Sequence, residues 1–238
     1  MVVDPRRDIS DYLSDAKRYG LRIEGVINTH FHADFVSGHL ELVEATGAWI
    51  GFGEAAETDY PIRRLADGEH ISLGRVDLEI LSTAGHTWES ISVLVREQRD
   101  AYPTAVLTGD SLFVGDVGRP DLVNIGDSST GDLARAMYRS IHEKLLTLPD
   151  PVIVMPAHGA GSSCGKNLST ELTSTIGEQR RTNPSVQLMS EQAFVDMLTN
   201  GQPAAPSYFR ADAAMNKRVH PLLQQERTVP SMTPQRDA

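Results

Sequence analysis

The run Thr29-His30-Phe31-His32-Ala33-Asp34 sets two histidines and an aspartate within five residues, directly after the apolar pair Val26-Ile27. Neutral imidazoles are nitrogen ligands, and a strand ending just before them fixes where they point, so this turn is built to hold a metal ion. The same relation recurs three times. The apolar stretch around Ile80 leads to Gly85-His86, residues 104–107 lead to Gly109-Asp110, and Val152-Ile153-Val154-Met155 leads to His158. Taken singly, a loop histidine is more often solvated than ligating. Four strand exits that each hand over to a metal-competent side chain reverse that expectation, because loops leaving one edge of a layered α/β fold converge. The other histidines, His39, His70, His142 and His220, have no ligand-like neighbour in sequence and are expected to be structural. The single cysteine, Cys164, excludes a disulfide framework and a cysteine-rich zinc site, so any metal is held by histidine and carboxylate.

The elements that must position these groups can be read from pattern. Val2-Val3 is a short β-prone run, and a helix follows with Asp8 as its cap, Ile9, Tyr12, Leu13 and Ala16 on one face and Gly20 as its stop. Residues 22–28 read as a strand, 36–45 as a helix and 49–52 as a strand, a β-α-β-α-β rhythm. Residues 75–80 alternate polar and apolar as a half-wet strand does, and 91–95 and 104–107 continue the sheet. After a Gly- and Asp-rich loop over 115–130, Leu133, Met137, Ile141 and Leu145 mark one amphipathic helix that stops before Pro149. Residues 190–200 read as a short helix capped by Ser190. The expected organisation is one α/β domain over 1–229 with a flexible tail over 230–238.

The chain has 238 residues, 40% of them hydrophobic and 23% charged, which is an ordinary globular composition with length enough for a sizeable core. Its 32 acidic against 22 basic residues give a formal charge of −10, and no basic stripe interrupts them, so nucleic acid and anionic membrane are poor partners. No long apolar run and no signal-peptide pattern is present, and the expected location is the cytoplasm.

With these residues assembled, the ordered set Thr29-His30-Phe31-His32-Ala33-Asp34, Gly85-His86, Gly109-Asp110 and His158 resembles the metallo-β-lactamase superfamily over nearly the whole chain. The resemblance implies an αββα sandwich with the metal site at one edge of its two sheets. Family members carry about two further strands before the run Val2-Val3-Asp4-Pro5, so either the recorded start is late or the first sheet lacks its N-terminal edge strands. Within the superfamily the details are similar to the persulfide dioxygenases, also called sulfur dioxygenases, in their bacterial rhodanese-associated branch. The residues carrying this are Phe35-Val36-Ser37-Gly38-His39 after the first motif, Ser111-Leu112-Phe113-Val114-Gly115-Asp116-Val117-Gly118-Arg119-Pro120-Asp121 after Asp110, and Gly159-Ala160-Gly161-Ser162-Ser163-Cys164-Gly165 after His158.

By that resemblance one Fe(II) per chain is held by His30, His86 and Asp110, with His32 and His158 supporting it. The substrates implied are O2 and a low-molecular-weight thiol persulfide, and the products are sulfite and the free thiol. Two-metal members such as glyoxalase II place a further histidine directly after the motif's aspartate; here that position is Phe35, which has no lone pair to offer. Two histidines and one carboxylate on one face also suit non-haem iron and oxygen. Arg119 is a candidate for gripping the anionic tail of the thiol carrier, and Cys164 for lying beside the substrate sulfur. Ala160 stands where glutathione-using relatives often have tyrosine, which leaves glutathione and coenzyme A both open as carriers. A separate rhodanese would supply the sulfur, and a homo-oligomer is open. The competing expectations are a zinc-dependent thioester hydrolase of the glyoxalase II type and an inactive truncated paralogue.

Overall fold

The computed structural model describes residues 1–122, 129–166 and 168–223. Its first half is built from β1 (Val2–Val3), α1 (Ser10–Tyr19), β2 (Gly25–Ile27), α2 (His39–Thr46), β3 (Trp49–Gly53) and β4 (Arg63–Leu65). α1 and α2 return the chain to the same end of the sheet, and a loop over 54–62 does so before β4, so the strands pair in parallel in the order β1-β2-β3-β4. The second half begins with a meander of β5 (His70–Leu73), β6 (Val76–Ser82), β7 (Ile91–Arg96) and β8 (Pro103–Gly109). The crossover helix α3 (Thr130–Arg139) then brings in β9 (Ile153–Pro156) parallel to β8, and β10 (Ser174–Thr175) completes a sheet of order β10-β9-β8-β7-β6-β5. Three helices close the described chain: α4 (Ile176–Thr182), α5 (Glu191–Thr199) and α6 (Phe209–Asn216).

Apolar contacts define the layers. Ile27 of β2 and Leu65 of β4 pack with Ile71, Leu78, Ile80, Ile91 and Val93 of the larger sheet, which is the seam between the two sheets. Leu94, next along β7 from Val93, faces the opposite way, into a second core with Val106, Val154, Met137, Ile141 and Phe194. Both neighbours are therefore buried, and β7 is covered on its two faces. On the other side Val26 and Leu42 meet Ile9, Tyr12 and Leu13, so α1 and α2 cover the small sheet. The order is helix, sheet, sheet, helix, as the resemblance implies.

Several elements differ from their sequence pattern. Only three residues of the stretch 22–28 are in β2. The spacing from Leu133 to Leu145 reads as one helix, but α3 ends at Arg139 and continues as a π-helical turn (Ser140–Lys144) and a 3-10 turn (Leu145–Thr147). Here the Ser140 hydroxyl donates to the Ala84 carbonyl at 2.7 Å, tying the helix to the turn before His86. Gly85 sits in that turn at φ 152°, where a Cβ would lie 2.5 Å from the Met137 backbone; a glycine lets the helix approach this closely. Strands β4 and β10 and helices α4 and α6 lack a clear pattern in the sequence and are found only in the structure. The tail expected over 230–238 lies outside the described residues, as does everything after 223.

Candidate metal centre

Every strand exit singled out by its side chain opens on the same edge of the sandwich. β2 delivers His30, the turn after β6 delivers His86, β8 delivers Asp110 and β9 delivers His158. Candidate ligand atoms of His30, His86 and Asp110 lie within 4.8 Å of one another, and all three residues are buried. Asp110 Oδ2 is 3.7 Å from His30 Nε2 and 3.5 Å from His86 Nε2. Two ligands each about 2.1 Å from one ion stand roughly 3–3.5 Å apart, so one ion suits these spacings.

The hydrogen bonds behind the ligands decide which nitrogens face inward. Asp4, at the end of β1, accepts the Thr29 backbone N–H at 2.7 Å and the Thr29 hydroxyl at 2.8 Å. Because that hydroxyl donates to Asp4, it accepts from the His30 Nδ1–H, 3.0 Å away, and Nε2 keeps its lone pair. His86 Nδ1–H donates to the Arg119 carbonyl at 2.8 Å, which turns its Nε2 towards Asp110 Oδ2. Supporting bonds of this kind fix tautomer and ring orientation at metal sites. Meanwhile His30 Nε2 and Asp110 Oδ2 are buried without a hydrogen-bond partner among the described residues. Native structures rarely leave such atoms orphaned unless something binds them. The three groups fit a divalent ion.

Electrostatics agree. Burial, then repulsion from His32, holds the His30 pKa well below its ordinary value, which keeps the imidazole neutral. Burial alone would raise the Asp110 pKa, but the charge of His158 and its hydrogen bond outweigh it and hold the carboxyl ionised. His158 is pushed up to about 11: its burial is overcome by Asp110 and Asp34. Its Nδ1 donates to Asp110 Oδ1 at 2.6 Å and its Nε2 lies 2.7 Å from Asp34 Oδ2, so this ring carries both protons and has no lone pair to give.

The remaining candidates fall around this centre. His32 Nε2–H donates to Asp4 Oδ1 at 2.9 Å, and its ring lies on that of Phe35, with 4.3 Å between centroids. His32, Asp34 and His158 form a second group of metal-competent side chains, in which His32 Nδ1 and Asp34 Oδ1 are buried without partners. Cys164 is buried beside Asp110 and His158, and burial, reinforced by the charges of Asp110 and Asp34, pushes its thiol pKa up. It is therefore a protonated thiol rather than a thiolate.

Arg119 needs correcting. Its guanidinium is 2% exposed and forks onto Asp121, with bonds of 2.7 Å from Nε and from Nη2, while Nη2 also donates to the Pro203 carbonyl. Donors so engaged hold a loop together, and the residue reaches the metal centre only through its backbone carbonyl on His86. Other charged groups line the neighbouring cavity, on the side of His32 and His158. A cavity of about 620 Å³ is bounded by Asp4, Arg6, Arg7, His32, Asp34 and His158, with Phe35, Val36 and Ala157 completing its wall. His70 is likewise less isolated than its sequence suggests, since Nδ1 pairs with Asp77 at 2.5 Å.

Two supporting residues escaped sequence reasoning. Asp4 follows a β-prone run just as the ligands do, and that recurrence was the signal for it. Gly109, at φ 52°, would with a Cβ stand 2.6 Å from the Thr29 hydroxyl, so the glycine before Asp110 is what lets the two strand exits meet.

Comparison with known proteins shows the family. The profile of the Metallo-beta-lactamase superfamily matches residues 4–158. A layered α/β protein with a histidine and carboxylate metal centre at its sheet edge is the class the structure defines, and the chain belongs to the metallo-β-lactamase superfamily. Human mitochondrial persulfide dioxygenase ETHE1 is 30% identical over 187 residues, covering 77% of this chain and 64% of the human protein. A metallo-beta-lactamase structure from Staphylococcus aureus superposes with a TM-score of 0.84 at 37% identity, over 92% of this chain and 65% of that one. ETHE1 from Myxococcus xanthus gives a TM-score of 0.75 at 27% identity, over 90% and 86%. A hydroxyacylglutathione hydrolase from Polaromonas is in the same range, 32% identical over 164 residues, covering 66% of this chain and 56% of the hydrolase. The chain thus spans less than two thirds of the human relative. Among the described residues no helix is long and apolar enough to cross a membrane.

Proposed function

We propose that this protein is a mononuclear non-haem iron persulfide dioxygenase, acting in the cytoplasm on a thiol persulfide supplied by a rhodanese-type sulfurtransferase. The observation that carries the reading is the inward set of His30 Nε2, His86 Nε2 and Asp110 Oδ2, two nitrogens and one carboxylate oxygen aimed at one point. Such a set leaves coordination positions for two co-substrates, which a closed four-ligand zinc site does not. Phe35 beside Asp34 and the ETHE1 relatives support the same choice.

Bound by these three residues, Fe(II) would supply activation of O2 and a route for electrons from the persulfide sulfur to O2. The balanced reaction is R–S–SH + O2 + H2O → R–SH + sulfite + 2 H⁺. The chain's own contributions are positional and protonic. His30 and His86 are oriented by the Thr29 hydroxyl and the Arg119 carbonyl, so that each ring turns its Nε2 inward. Asp110 is held ionised by His158, whose two N–H groups lie against Asp110 and Asp34 and keep protons at the cavity wall. His32, fixed by Asp4 and lying on Phe35, closes the other side. Cys164 places an uncharged thiol beside Asp110 and His158.

The test is O2 uptake by anaerobically purified, Fe(II)-loaded protein given glutathione persulfide or coenzyme A persulfide. The expected result is one O2 consumed per sulfite formed. A specific observation favours one second reading: the unpartnered His32 Nδ1 and Asp34 Oδ1 are atoms that a second ion in a zinc thioester hydrolase would use. Protein that purifies with zinc, takes up no O2 and cleaves an acylated thiol would establish that reading and overturn the first.

A further inference from the structure

Asn216 is the last residue of α6, nearly a hundred and eighty positions beyond the histidine turn, and it is 1% exposed. Its side-chain amide is fully engaged by that turn. Nδ2 donates to the His32 carbonyl at 2.8 Å and to the Phe35 carbonyl at 2.9 Å, while Oδ1 accepts the Ser37 N–H at 2.8 Å. The turn from His30 to Gly38 contains no helix or extended strand, so its buried backbone groups depend on partners from elsewhere. One amide thus satisfies three backbone groups that bracket Asp34, directly after the ligand His30. The Asn216 backbone carbonyl is held separately, by the Tyr60 hydroxyl at 2.5 Å. The same helix places Phe209 and Ala213 in an apolar cluster with Ala33 of the turn and with Cys164.

We infer that Asn216 is a positioning residue for the metal centre, acting through the backbone of the turn and touching neither metal nor substrate. The inference rests on the ligand assignment of His30, His86 and Asp110. With the amide in place the turn has one conformation, and His30 Nε2 is aimed before the ion arrives. Without it, two buried carbonyls and an N–H lose their partners, the turn rearranges, and the ion leaves faster. Groups bonded directly to ligands are worth about 10–100-fold in metal affinity, and Asn216 acts one residue further out, through the turn that carries His30.

Metal-free protein titrated anaerobically with Co(II), followed by its visible absorption, reads this without any assay of turnover. Asn216→Ala should weaken Co(II) binding by about 10–100-fold and alter the band envelope. Asn216→Asp keeps the shape and the Ser37 bond but sets an oxygen against the His32 and Phe35 carbonyls, and should lose affinity in the same range. Tyr60→Phe is the control for mere stability: it removes the bond to the Asn216 carbonyl and leaves the amide fork alone. It should lower the melting temperature of the metal-free protein while holding Co(II) within about twofold. Wild-type affinity in both Asn216 variants would overturn the inference, as would a loss in all three variants that simply follows melting temperature. Failure of the wild-type protein to bind Co(II) would overturn the ligand assignment itself, and this inference with it.

Discussion

Asp110 and His158 share a 2.6 Å bond between Oδ1 and Nδ1, and that bond divides the carboxylate's two oxygens between two tasks. Oδ1 is tied to a ring that carries both its protons, and Oδ2 is left facing His30 and His86. The pairing makes His158 a support for a ligand rather than a ligand. Removing it and removing His86 should therefore have different consequences. His86→Ala should abolish stoichiometric metal binding and activity together. His158→Ala should retain one ion per chain with affinity lowered by about 10–100-fold, the cost of losing a supporting partner. Elemental analysis after dialysis against graded chelator separates the two. His158→Ala protein emptied as completely as His86→Ala would place His158 among the ligands.

Phe35 stands where a second ion would need a donor, beside Asp34 and on the ring of His32. Phe35→His should raise zinc uptake from one to two ions per chain, because the added imidazole would join Asp34 Oδ1 and His32 Nδ1, the partnerless atoms of that second group. Calorimetric titration of the metal-free variant with Zn(II) checks this. Uptake that stays at one ion would show that the second group is closed by the Asp4–His32 and Asp34–His158 pairs rather than by Phe35.

How much of this was visible in the sequence depends on whether the signal was local. His30, His86, Asp110 and His158 each follow an apolar strand, and loops at one edge of a layered fold converge, so residue order alone brought them together. Arg119 shows the limit of that logic. Its type suggested an anion grip, but its partner, Asp121, is only two residues on and occupies the fork. Asn216 carries no local signal at all, since its three partners lie at the far end of the chain. The break in α3 is similar. The four-residue apolar spacing continues through Ile141, whereas the bond from Ser140 to Ala84 belongs to tertiary packing.

Arg119 is the buried half of an ion pair with Asp121, which is itself 28% exposed. Arg119→Ala should destabilise the fold by about 3 kcal/mol, because the half-buried Asp121 carboxylate and the Pro203 carbonyl lose their donor. Arg119→Lys should recover only part of that, since an ammonium cannot reproduce the bidentate fork. Urea unfolding measures both. Where the variants fold, KM for the persulfide should stay within about twofold of wild type; a rise of tenfold or more with unchanged stability would restore Arg119 to the substrate.

His39 supplies the pH dependence. It is fully buried between Phe52 and Tyr60, and both ring nitrogens lack a hydrogen-bond partner among the described residues. Burial first, then repulsion from His220 and His32, lowers its pKa from 6.5 to about 3. Between those values the unfolded chain binds a proton at this ring that the folded chain refuses. Stability must therefore rise with pH through this window and be lost as pH falls from 6.5 towards 3, at up to roughly 1.4 kcal/mol per pH unit. Above 6.5 both states are neutral at His39 and the contribution is flat. His158 acts at the other end: its pKa is raised to about 11, so its stabilisation is present in full below its ordinary value and is lost as pH climbs through the raised one. Urea midpoints of wild type and His39→Phe, compared from pH 7.5 down to about pH 4.5, isolate the first effect, since phenylalanine fills the same aromatic site without titrating. The gap between the two proteins should shift in favour of the variant as pH falls. A gap that stays constant across that range would mean that His39 accepts its proton inside the folded protein.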